Sequence, residues 1–219
     1  MSAKKILDKL EAEIEKPDFK NHVVYDSSSE GEVSSIWYAL YDPDDFEDGE
    51  FPEPAGDKWE EALDQYIEDA WYRFENNFSK IAKIENGMLA LYREITVESI
   101  PRFLYFLQKG KTIPSFKGIG IFWSWDKDKA EAHHGYVGHA VLIKGLVKLS
   151  DINYASTALK NLNPALGVPE AEIQIKKGSL VYITEVYSDN HGKTIWEGTV
   201  EVKASINKNI LSALRQVVQ

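Results

Sequence analysis

Hydrophobic and polar positions follow two different spacings along this chain, and the change falls near residue 86. Before that point, apolar residues recur every three or four positions, which is typical of amphipathic helices. Residues 4–16 and 57–85 have this spacing, and Pro17 and Asp57 stand where the first helix should end and the second should be capped. The first part of the chain is therefore predicted to be helical, with an acidic loop between the two helices.

After residue 86, short runs of apolar residues predict β-strands. A helix, SIPRFLYFLQKG, interrupts them with Ser99 as its N-cap, and another helix, NKNILSALRQVV, follows the last strand. The predicted strands are MLALYREITV, GIGIFWSW, HAVLIKGLVKL, AEIQI, SLVYITEVYS and TIWEGTVEVKA. Helices followed by a series of strands favour an α+β fold with a mostly antiparallel sheet. We expect a helical N-terminal region over residues 1–86, packed on a β core over residues 87–219.

Composition narrows the class of protein. The 219 residues are 43% hydrophobic, include no cysteine and carry a formal net charge of −10. Nucleic acids and anionic membranes attract clustered Lys and Arg, so this charge argues against both and favours a basic protein partner. The sequence has no apolar run of eighteen residues, and its charged N-terminus differs from a signal peptide. We therefore expect a cytoplasmic protein without disulfide bonds.

Three segments of the β region carry candidate chemistry. Arg93 lies in the apolar strand MLALYREI, where a guanidinium normally binds a carboxylate or a phosphate. In GIGIFWSW, strand alternation puts Gly120, Phe122 and Ser124 on one face, where two small residues flank a single ring and leave space for a flat ligand. In PEAEIQI, Glu170 and Glu172 stand where a loop enters an apolar strand. Taken singly, each segment also fits an ordinary role: a structural salt bridge, an edge strand or a pair of surface glutamates.

Taken in order, the three segments resemble the arginine, serine and glutamate signature of the cholera-toxin-like mono-ADP-ribosyltransferases. The resemblance covers about residues 87–204 and depends on the order of the motifs and on their strand context. Tryptophans flank the serine here, where the family usually has Ser or Thr. The matching motifs are Tyr92-Arg93, Phe122-Trp123-Ser124-Trp125 and Glu170-Ala171-Glu172-Ile173.

The resemblance implies a β core of split sheets around an NAD cleft, with NAD as the co-substrate and no metal. It implies that Arg93 binds the NAD phosphates and the nicotinamide ribose region, and that the Ser124 hydroxyl orients the catalytic Glu172. The other residues expected to contact NAD are Tyr92, Phe122 and Trp123.

The two glutamates divide the chemistry between them in the family. Glu172 is expected to bind the ribose 2′-hydroxyl and to stabilise the oxocarbenium-like centre as nicotinamide leaves. Glu170 is expected to receive the acceptor, and a glutamate at this position goes with an arginine side chain of a protein. The resemblance leaves open a bacterial effector, a phage protein that modifies its host, or a toxin.

Other functions are possible for the same residues. A zinc site at His133, His134 and His139 lacks cysteine ligands, and adjacent histidines on a helix point in different directions. A Rossmann site fails because Trp123 stands where a third glycine is needed. Two alternatives remain: a non-catalytic acidic protein that binds a basic partner, and the same enzyme with a nucleic-acid acceptor.

Overall fold

A computed structural model of the chain describes residues 3–23, 36–42, 44, 51–109, 119–130, 139–162, 171–188 and 193–204. These residues divide into two compact units. One unit consists of Lys4–Lys80 with Tyr154–Pro169, and the other of Met1–Ala3, Ile81–Asn153 and Glu170–Gln219. The first is helical and the second contains the sheet. The helical unit thus takes in a segment from the middle of the region that the sequence assigned to the β core.

Six helices lie in the described residues, and a short 3₁₀ turn, Leu149–Asp151, precedes the last of them. The helices are α1 (Lys4–Ile14), α2 (Pro17–Val23), α3 (Asp57–Ile81), α4 (Ile100–Gln108), α5 (Lys127–Ala130) and α6 (Tyr154–Leu162). None of them is both long and apolar enough to cross a membrane. The helix predicted over NKNILSALRQVV lies outside the described residues.

In the helical unit, α3 buries the apolar stripe that its sequence predicts. Trp59, Leu63 and Phe78 are each at most 5% exposed. As predicted, the first helix ends before Pro17, and Pro17 itself begins α2, where its fixed φ and missing N–H cost nothing. The prediction for 57–85 is wrong at both ends, since α3 ends at Ile81 and Ile84–Glu85 form a strand. Asp57 is not the N-cap, because the carbonyl of Gly56 accepts the first helical bond, so Asp57 instead adds negative charge to the first turn.

In the sheet unit, the described residues form seven strands, and every hydrogen-bonded pair of neighbours among them is antiparallel. The path of neighbouring strands is β5-β3-β2-β4-β6-β7, with β1 pairing on β2. The strands are β1 (Ile84–Glu85), β2 (Met88–Val97), β3 (Phe122–Ser124), β4 (His139–Lys148), β5 (Glu172–Gln174), β6 (Leu180–Tyr187) and β7 (Thr194–Lys203). The prediction of an α+β chain with an antiparallel sheet is confirmed.

Strand β2 joins two parts of this sheet. It pairs with β4 along its whole length, from Met88 to Val97, but with β3 only through Tyr92 opposite Ser124. Beyond that pair, β3 continues the sheet through three residues of β5. The expected split into two sheets therefore takes the form of one connected sheet with a narrow junction, which leaves room beside β2.

Trp123 anchors β3 against the long strands. Its ring is 2% exposed and packs over Gly145 of β4, where an added Cβ would lie 3.2 Å from the ring and 2.5 Å from Val181 Cγ1. A close-packed core has no space for this extra methyl group. The apolar face predicted for GIGIFWSW is confirmed, since Ile119, Ile121, Trp123 and Trp125 are all buried.

Gly145→Ala is expected to destabilise the sheet by about 1–3 kcal/mol, because overpacking forces its neighbours apart. Urea unfolding would measure the loss as a lower transition midpoint. The loss should shrink in a Val181→Ala background, where the nearest clashing atom is gone. An equal loss in both backgrounds would contradict the proposed contact.

Candidate functional site

Residues from three separate strands line one cavity of about 160 Å³ beside the junction of β2 and β3. Strand β2 contributes Arg93, β3 contributes Ser124 and β5 contributes Glu172, although these residues are far apart in the sequence. The residues predicted for catalysis or NAD contact that line this cavity are Tyr92, Arg93, Phe122, Trp123, Ser124 and Glu172. Glu170 lies outside the described residues.

The strand register explains why Tyr92, Ser124 and Glu172 meet, whereas Arg93, one residue after Tyr92 on β2, is not part of their row. Tyr92 stands directly opposite Ser124, and Ser124 stands directly opposite Glu172. Residues opposite each other in antiparallel strands project from the same face of a sheet, so the three form one row across β2, β3 and β5. Tyr92 also opposes Lys144 of β4, which extends the row of polar side chains.

Arg93 is held against the backbone of β3. Its Nη1 donates a hydrogen bond to the Phe122 carbonyl, and its Cζ would lie only 2.7 Å from a Cβ added to Gly120. Burial lowers the pKa of the Arg93 guanidinium, while the neighbouring Glu172 carboxylate raises it. Within the described residues, the buried Nε has no hydrogen-bond partner. Arg93 thus keeps donor capacity beyond its contact with β3.

Ser124 shapes the turn that follows β3. Its Oγ donates to the Asp126 carbonyl at 2.7 Å and accepts from the Asp126 N–H at 3.0 Å. The Asp126 carboxylate in turn accepts from the N–H of Asp128 at 3.0 Å, in the first turn of α5. The hydroxyl between two tryptophans therefore fixes the path from β3 into α5, which packs over the cavity. That the Ser124 hydroxyl orients Glu172 stays a prediction. The strand register places the two residues directly opposite each other.

The two aromatic residues of β3 face in opposite directions, as strand alternation requires. Trp123 borders the cavity, yet its ring belongs to the core over Gly145. The Phe122 side chain is 37% exposed and also lines the cavity. Of the two, Phe122 has the ring that is accessible to a planar ligand.

The backbone just before Glu172 has an unusual conformation. Ala171 has a φ of 54°, in the left-handed region that costs a residue with a Cβ about 1–2 kcal/mol. It is 2% exposed, and its carbonyl accepts the N–H of Trp125 at 3.0 Å. Ile173 then enters the core with no exposed surface. These contacts fix the backbone on both sides of Glu172, whose side chain lines the cavity.

Two charged residues of the cavity were not predicted from the sequence. Glu94 of β2 is 8% exposed, and Lys129 of α5 is exposed at the rim. Strand alternation from Tyr92 could have identified Glu94, because residues two apart share a face. Lys129 reaches the cavity through the turn made by Ser124 and Asp126, which no sequence periodicity signals.

A second charged cluster, consisting of Glu85, Lys144, Glu185 and Tyr187, adjoins Tyr92 on the same row. Lys144 Nζ lies 2.9 Å from Glu85 Oε1 and 2.6 Å from Glu185 Oε1, and Tyr187 donates its hydroxyl proton to Glu185. Burial acts to lower the pKa of Lys144, but these hydrogen bonds outweigh it and the pKa is raised. Burial raises the pKa of Tyr92, which Lys144 partly opposes. The two carboxylates of the cluster therefore favour the charged form of Lys144.

The described residues give no candidate metal site. In the ranges that the structure describes, no group of three or more His, Asp or Glu side chains is arranged to hold a metal ion. His139 is exposed at the start of β4, and His133 and His134 lie outside those ranges.

Comparison of the chain with protein-family models, curated proteins and solved structures finds no match in any of the three.

Proposed function

We propose that this protein is an NAD-dependent mono-ADP-ribosyltransferase that modifies an arginine side chain of another protein. One observation supports this most strongly: Arg93, Ser124 and Glu172, selected in the sequence by the order and strand context of their motifs, line the same cavity. If these three residues had unrelated structural roles, nothing would require them to line the same cavity. The charge balance adds support, because an acidic protein attracts a basic substrate protein.

In this proposal, the cavity takes one part of NAD. Its volume of about 160 Å³ suits a single six-membered ring, since an apolar cavity of about 150 Å³ holds one benzene molecule. In this proposal the nicotinamide ring enters the cavity against the exposed face of Phe122. The remainder of the dinucleotide lies outside, where Arg93 and Lys129 supply positive charge for its two phosphates.

Glu172 carries the chemical step in this proposal. Its carboxylate accepts a hydrogen bond from a hydroxyl of the nicotinamide ribose and stabilises the positive charge that develops at C1′. The bond between C1′ and the nicotinamide nitrogen breaks, and nicotinamide leaves with the bonding electron pair. A guanidino nitrogen of the acceptor arginine then bonds to C1′ and loses one proton, which Glu170 receives. The products are nicotinamide and ADP-ribosyl-arginine.

Incubation with NAD labelled in the adenosine half tests the proposal directly. Purified protein should release nicotinamide and transfer the label to a basic, arginine-rich protein. Release of the label by arginine-specific chemistry would identify the acceptor residue. Transfer to an oligonucleotide would indicate the nucleic-acid alternative. Tight binding of a basic partner with no nicotinamide released would indicate the non-catalytic acidic protein.

Glu170→Ala is expected to separate transfer from NAD hydrolysis. Because Glu170 serves the acceptor and Glu172 serves the ribose, arginine transfer should fall by roughly 10²-fold, whereas slow nicotinamide release to water should persist. Labelled transfer and nicotinamide release would be measured on the same sample. Glu197→Ala, on exposed β7, is the matched control and should change neither rate. An equal loss of both reactions in Glu170→Ala would contradict this division of roles.

A further inference from the structure

Gly120 combines a left-handed backbone with a close neighbour. Its φ is 71°, and a Cβ built there would lie 2.7 Å from Arg93 Cζ, 2.8 Å from Nη2 and 3.0 Å from Nη1. All three atoms belong to one guanidinium group, so its plane lies against the bare Cα of Gly120. Other described glycines also have a positive φ, but Gly87 and Gly178 have nothing within 4 Å of an added Cβ.

The backbone of Gly120 and Phe122 forms a surface, called the seat below, against which this guanidinium packs. On one side, the Phe122 carbonyl accepts a hydrogen bond from Arg93 Nη1. The Gly120 carbonyl is itself engaged by the indole of Trp123, whose Nε1 lies 3.4 Å away, and the Trp123 ring is fixed in the core. Glu172 supplies negative charge nearby. The seat is therefore built on buried structure and places Arg93 beside the catalytic carboxylate.

We propose that Gly120 is a positioning residue for Arg93, whose orientation it sets by having no side chain. A Cβ at this position requires the guanidinium to move by about 1 Å, because carbon atoms pack at about 3.5–4.0 Å. This inference rests on the proposed function, in which Arg93 binds the NAD phosphates. It assigns to Gly120 a role in nucleotide affinity and none in the bond-breaking step.

Gly120→Ala is expected to raise KM for NAD roughly tenfold and to leave kcat nearly unchanged, since a displaced phosphate contact weakens ground state and transition state alike. Steady-state nicotinamide release measures both constants. Gly178→Ala and Gly87→Ala impose the same left-handed strain in open space and should leave KM unchanged. If these controls raise KM as much as Gly120→Ala does, backbone strain is the cause and the proposal is wrong.

A double-mutant cycle tests whether the effect passes through Arg93. In an Arg93→Lys background, Gly120→Ala should add little to KM, because the guanidinium that it displaces is gone. If the two substitutions instead raise KM independently, so that their factors multiply, the proposal is wrong. If Gly120→Ala does not fold, Gly120→Asn replaces it, since asparagine tolerates a positive φ better and still carries the clashing Cβ.

A second readout does not depend on any enzymatic activity. The Nε–H of Arg93 is buried, so its proton NMR signal, assigned by its loss in Arg93→Lys, should exchange slowly with water. Gly120→Ala should shift this signal and speed its exchange, whereas Gly178→Ala should not. An unchanged signal in Gly120→Ala would show that the Arg93 guanidinium does not pack against Gly120, and the proposal would be wrong. If the signal moves as expected and no variant or wild type hydrolyses NAD, the seat stands and the proposed function fails.

Discussion

Replacing Glu172 by glutamine is expected to reduce nicotinamide release and arginine transfer by about 10²–10³-fold, with little change in KM for NAD. Loss of one well-placed electrostatic group typically costs this much in rate. Glutamine has nearly the same shape as glutamate and still accepts a hydrogen bond, but it has no negative charge to stabilise the oxocarbenium-like centre. The loss should therefore fall on kcat, which reports interactions made only in the transition state.

The fold should survive this change. Glu172 lies at the edge of the cavity in a short strand, and the flanking Ala171 and Ile173 hold the backbone. The circular dichroism spectrum should match that of the wild type. The free energy of unfolding, measured in urea, should differ from the wild-type value by less than about 1 kcal/mol. Glu201→Gln, an exposed glutamate of β7, is the matched control and should retain full activity. A Glu172→Gln variant that releases nicotinamide as fast as the wild type would refute the proposed chemistry, whatever its affinity for NAD.

Replacing Arg93 by lysine is expected to raise KM for NAD by roughly 10²-fold, because each hydrogen bond to a charged group contributes about 1.5–3 kcal/mol. Lysine keeps the charge but loses the planar fork that binds the Phe122 carbonyl and, in the proposed function, an NAD phosphate as well. In contrast to Glu172→Gln, kcat should change little. Steady-state kinetics and direct titration with NAD would both report the weaker binding.

The matched control for this change is Arg102→Lys in α4. Arg102 is an exposed arginine whose Nη1 lies 3.5 Å from Glu98, and it does not line the cavity. Its replacement should leave KM and stability as in the wild type. If Arg93→Lys binds NAD normally, Arg93 is a structural ion-pair residue and the assignment of a phosphate site is wrong.

Local patterns in the sequence were sufficient for most of the secondary structure. The run MLALYREITV coincides with β2, and the Ser99 side chain caps α4 by accepting the N–H of Arg102. Both depend on neighbours within a few residues, so periodicity and capping rules apply. Helix α6 was not predicted, because YASTALKNL is a short segment between predicted strands and its buried polar residues, Thr157 and Asn161, blur the apolar stripe.

The sequence by itself determined which residues carry charge, which strands form and which faces are apolar, because those properties depend on side chains a few positions apart. Only the tertiary structure decided that β3 meets β2 through the single pair Tyr92 and Ser124. That junction brings Arg93 against Gly120 and adds Glu94 and Lys129 to the cavity. Strand pairing between distant segments is set by packing of the whole sheet, and no local spacing encodes it.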